Sequence, residues 1–77
     1  MTSFISYEQM KLAYNDFKKN LPQDKFDRYY TEFSFMKTLI EFAKKQGLEK
    51  DVFEYKKVQK DAAQNLIDMG YTVKLDD

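Results

Sequence analysis

The residues whose type fits acid–base chemistry are two pairs of carboxylates, Glu32 with Glu41 and Asp51 with Glu54. A hydrolase of the glycosidase type needs such a pair facing each other across a bound substrate. Here all four stand among lysines on faces expected to meet solvent, where a carboxylate is ordinary surface. Nucleophile systems built on Ser-His-Asp or Cys-His are ruled out, because the chain contains neither His nor Cys. The same lack removes the commonest ligands of zinc, copper and iron. No Asp-rich calcium loop is present. Gly47 and Gly70 stand alone, whereas a phosphate-cradling loop needs clustered glycines. The expectation is a chain that is not an enzyme and carries no cofactor and no metal.

What remains is binding. Lysines occur as Lys18-Lys19, as Lys44-Lys45, and as Lys56-Lys57 with Lys60. The first two pairs fall where helices should end, and there they complement the negative end of the helix dipole. Lys56, Lys57 and Lys60 are left as a candidate phosphate-contacting row. Arg28 is the one arginine, four residues after Asp24, so an ordinary i,i+4 surface pair accounts for it.

Aromatic residues are the more informative group, with seven Phe and six Tyr in 77 residues. Most fall on apolar stripes and read as core. Phe35 and Phe42 do not: they are seven apart on one helix face, roughly 140° from the main stripe at 3.6 residues per turn. Leu39 falls between the two directions, Tyr30 flanks the stripe on its other side, and Phe53 is off the main face of the next helix. A helix apolar around so much of its circumference is either sandwiched between two neighbours or shared with a partner. Tyr30, Phe35, Leu39, Phe42 and Phe53 are therefore the candidate protein-binding residues. Exposed contiguous apolar area marks binding sites, and Phe and Tyr are favoured anchors there.

Three breaks, Pro22, Gly47 and Gly70, divide the elements that would position these residues. Ser6 with Gln9 has the form of a capping box. Behind it Tyr7, Met10, Tyr14, Phe17 and Leu21 recur in steps of three and four, which predicts a helix over about 7–19. Pro22 turns the chain away from helix at Leu21 and suits the first turn of the next one. Phe26, Tyr29, Phe33, Met36, Ile40 and Ala43 then mark a helix over about 23–46, with a bend expected near Thr31 to Ser34 and Gly47 as its left-handed cap. Leu48, Val52, Tyr55, Ala62, Leu66 and Met69 mark a third over about 50–69. Gly70 closes it, and Tyr71 is placed for the hydrophobic contact that follows such a cap. The termini, about 2–5 and 71–75, read either as a short β-ribbon or as an extended tail on the bundle.

The sum is one all-α domain spanning 1–77, a three-helix bundle. It is near the lower size limit for independent folding, with no disulfide and with aromatic burial as its main resource. Positive and negative side chains balance at thirteen each and are evenly spread, which gives no pole to steer a polyanion. No run approaches the ~20 apolar residues of a membrane span. The opening Met-Thr-Ser-Phe-Ile-Ser is too polar for a secretory leader. A cytoplasmic location is expected. In style the chain is similar to small accessory proteins of bacteriophages: short, Cys-poor, rich in Lys, Phe, Tyr and Asp. That resemblance implies a host-directed binder acting in the host cytoplasm. The function expected is a protein-binding module acting as inhibitor, adaptor or modulator, with a homodimer as one way to cover the surplus apolar face. The alternatives are a helical nucleic-acid-binding regulator using Lys56, Lys57 and Lys60, and a self-associating assembly protein.

Overall fold

A computed structural model describes residues 6–74. The chain forms an all-α three-helix bundle: α1 (Tyr7–Lys19), α2 (Lys25–Lys45) and α3 (Glu49–Asp68). Each boundary has a local cause. At α1 the capping box closes in both directions: Ser6 Oγ accepts from the Gln9 amide, and Gln9 Oε1 accepts from the Ser6 amide at 3.0 Å. At α2 the cap is Asp24, whose carboxylate accepts from the Asp27 amide at 3.0 Å. Pro22 thus lies before the helix rather than in its first turn, and α2 starts slightly later than its sequence pattern predicts. The bend expected near Thr31 to Ser34 does not interrupt α2, although Thr38 Oγ1 donates back to the Ser34 carbonyl.

Both glycines end helices in the left-handed region, Gly47 with φ 71° and Gly70 with φ 100°. After α2 the Leu48 amide donates to the Ala43 carbonyl and the Gly47 amide to that of Lys44. After α3 the Tyr71 amide donates to Leu66 and the Gly70 amide to Ile67. Both ends are Schellman motifs, with the orphan carbonyls of the last turn satisfied by the chain's own reversal. The turn between α2 and α3 is consequently only Gln46 to Leu48, so the two helices form a tight antiparallel hairpin.

α2 is the central helix. Met36, Leu39, Ile40 and Ala43 are its buried residues. On α3 the buried set is Gln59, Ala62, Ala63 and Leu66. Alanines at Ala43, Ala62 and Ala63 let these two helices pack closely over most of their length. α1 crosses the other flank of α2. Its Tyr7 is the one buried side chain it supplies, joining Met36, Leu39 and Ala43 in the core cluster, with Met10 and Tyr14 packed against it. Of the terminal ribbon, residues 2–5 and 75 lie outside the described residues. The described part, 71–74, follows α3 with no strand assigned. No described helix is long and apolar enough to cross a membrane.

Candidate functional site

The five aromatic and aliphatic candidates fall into three environments. Leu39 is 1% exposed, at the centre of the core cluster. It is withdrawn from the binding set: a side chain enclosed by its own fold has no surface to offer a partner.

Phe35 and Phe42 are half-buried, and what covers them is α1. The Phe42 ring stacks on Tyr7 with centroids 6.1 Å apart. Phe35 lies 5.7 Å from Tyr14 and 5.5 Å from Phe17. The surplus apolar face of α2 is thus largely occupied within the chain. Two hydroxyl clasps hold the cover down. Tyr7 Oη donates to Asp51 at 3.1 Å and lies 2.8 Å from Tyr55 Oη, while Tyr14 Oη donates to Glu32 at 3.0 Å. Burial, reinforced for Tyr7 by the Tyr55 and Asp51 partners and for Tyr14 by the Glu32 carboxylate, holds both phenols well above their ordinary range. Asp51 and Glu32, read from the sequence as members of carboxylate pairs, serve here as acceptors for tyrosines. No group of three or more His, Cys, Asp or Glu gathers to hold a metal among the described residues.

Tyr30 and Phe53 are the exposed members, at 54% and 62%. Tyr30 does not stand alone. Its ring stacks on Phe26 at 5.4 Å, and Phe26 in turn meets Tyr71 at 4.6 Å. Tyr71 is itself 47% exposed. These rings line a groove of about 300 Å³ floored by Phe33 and Leu66 and edged by Thr72, Val73 and Lys74. It is built where the start of α2, the end of α3 and the segment after it converge. Gly70 positions Tyr71 there by turning the chain back over Leu66. The sequence pattern puts Tyr30 among the binding candidates, Phe26 and Phe33 on the core stripe and Tyr71 in the contact after the cap, but does not bring them to one site, because the Phe26–Tyr71 contact joins distant parts of the sequence. The local signal for Tyr71 was its place directly after the α3 cap.

The lysine row lies on the exposed side of α3. Lys57 Nζ sits 5.5 Å from the centroid of the Phe53 ring, Lys60 is exposed, and Lys56 is half-buried. Phe53, Lys56, Lys57 and Lys60 share one helical face by their spacing of three and four. Asp61 beside Lys60 is also exposed, so the row is not purely basic.

No protein-family model, curated protein or solved structure matches this chain.

Proposed function

We propose that this chain is a non-enzymatic protein-binding module, and that it docks through the aromatic groove between the start of α2 and the end of α3. One observation carries the reading. Tyr30 and Tyr71 each leave about half their surface in water while flanking a ring-lined groove of about 300 Å³. Stacked, partly exposed aromatic rings beside a concavity are what interface anchors use, since a rigid ring buries large area at little entropic cost. The mechanism is steric: the module covers a surface of its target and acts as inhibitor, adaptor or modulator. The compositional similarity to phage accessory proteins favours a target in the cytoplasm of a host cell.

The test compares the wild-type chain with a Tyr30→Ser, Tyr71→Ser double variant as immobilised bait. Proteins retained by the wild type should be lost, with an affinity drop of at least about tenfold if either ring is a hot spot. Helicity should be unchanged. Equal retention by the two baits would refute the groove as the docking face.

A second reading rests on Phe53 with Lys56, Lys57 and Lys60, which place an aromatic ring among three cations on one face of α3. In that reading the chain binds nucleic acid through phosphate contacts. Affinity for duplex would then fall steeply with salt, and charge neutralisation at Lys57 and Lys60 would lower the slope.

A further inference from the structure

The buried face of α3 has one polar member. Tyr55, Gln59, Ala62 and Leu66 recur in steps of four, three and four, so Gln59 holds a stripe position that an apolar side chain would normally fill. Gln59 is 7% exposed, the one buried polar residue among those described. Its amide forms no hydrogen bond with any described residue. Buried primary amides are nearly always paired, because desolvating one without a partner is costly. Yet no side-chain N or O among the described residues is both fully enclosed and unpaired. The Gln59 amide therefore keeps contact with the outside, and the contact is a pocket.

That pocket, of about 100 Å³, lies between α2 and α3 and is lined by Lys37, Ile40, Glu41, Lys44 and Gln59. It is on the flank of α2 roughly opposite to Phe35 and Phe42. Ile40 and Gln59 are its buried members, and Lys37, Glu41 and Lys44 stand at its exposed rim. The space exceeds what a single water needs, so a group of a few heavy atoms fits beside the amide. Two lysines against one glutamate give the rim a positive excess. Gln59 offers N–H donors, Lys44 offers ammonium donors, and Ile40 offers apolar surface. A carboxylate on a short carbon stem meets all three: its oxygens accept from Nε2 and Nζ while the stem lies on Ile40. Phosphate suits the pocket less, since it brings more charge against Glu41 and has no apolar part for Ile40. The small volume and the three long rim side chains keep out a bulkier acid. We infer that the Gln59 pocket is a binding site for a small free carboxylate of the size of acetate. The site is separate from the aromatic groove and does not depend on its role.

The experiment titrates sodium acetate into the full chain at fixed pH, with sodium chloride as the ionic-strength control. NMR follows the Gln59 side-chain NH2 and an Ile40 methyl. Both resonances should shift saturably with acetate, weakly as a ligand of so few atoms must, and should not do so with chloride. Gln59→Leu keeps the bulk and suits the stripe, so it should fold with an equal or higher urea midpoint. Its Ile40 response should weaken at least about tenfold, the fold-change of one charge-assisted hydrogen bond. Lys44→Gln, at an exposed position, should weaken acetate binding in the same direction without disturbing the fold. A shift that is linear in acetate, or matched by chloride, would overturn the inference and leave the amide merely hydrated. An Ile40 response unchanged in Gln59→Leu would overturn it as well. Inorganic phosphate binding as tightly as acetate would make this a general anion site, and a blocked aspartate binding as tightly would make its occupant an acidic side chain; either result contradicts the assignment.

Discussion

Apolar residues on α2 have different jobs according to their direction around the helix axis, with Tyr30 on roughly the opposite side from Leu39. Leu39 is enclosed, Phe35 and Phe42 are covered by α1, and Tyr30 faces water. Leu39→Ala should therefore cost about 2–5 kcal/mol, the range for a buried leucine that leaves a cavity. Tyr30→Ser should cost less than about 1 kcal/mol, as an exposed change does. Urea unfolding of the two variants checks the contrast. The tyrosine clasps give a second residue-scale prediction. Tyr7 and Tyr14 both titrate above their ordinary value near 10 in the folded chain, Tyr7 mainly through burial with help from Tyr55 and Asp51, and Tyr14 mainly through burial with help from Glu32. The folded state thus holds these two protons more firmly than the unfolded chain does. Their contribution is intact below about pH 10 and declines as pH rises past it toward the folded-state values. Wild type should lose stability above that pH more steeply than the Tyr7→Phe, Tyr14→Phe variant, and parallel alkaline unfolding curves would show that the clasps do not titrate as described.

Helix ends in this chain are set by chemistry that is local and therefore legible. The Ser6–Gln9 box puts the start of α1 at Tyr7, as its spacing predicts, and Gly47 and Gly70 stop α2 and α3. Gly47→Ala tests this at the scale of the element. A Cβ there meets no atom within 4 Å, so any cost comes from the backbone at φ 71° and not from a clash. The loss should be about 1–2 kcal/mol, with Gly47→Asn milder because Asn tolerates the left-handed region. The start of α2 was less legible, since Pro22 and Asp24 are both plausible openings and only the observed Asp24–Asp27 bond decides between them. Leu39 was misplaced for a geometric reason. Steps of three and four average 3.5 residues, so the stripe from Phe26 to Ala43 drifts by roughly 20° per heptad around a 3.6-residue helix. The true buried face is centred on Met36 and Ala43, with Leu39 inside it.

Across the whole molecule, sequence periodicity could count helices and could not say which ends meet. The groove exists because α3 returns antiparallel to α2, which brings Tyr71 against Phe26. No local pattern contains that contact. The same hairpin leaves α1 to cover the other flank, so one central helix is sandwiched on one side of its circumference and open at Tyr30 on another. That division is the basis for assigning the docking role to the groove and not to Phe35 and Phe42. The most direct measurement installs a photoreactive phenylalanine analogue singly at Tyr30, at Tyr71 and, as a control, at the exposed Glu41, and maps adducts in an extract of the source cells. Crosslinks to one common protein from positions 30 and 71, absent from position 41, are the predicted result. Equal labelling from all three positions, or none from 30 and 71, would contradict an aromatic docking face at this end of the bundle.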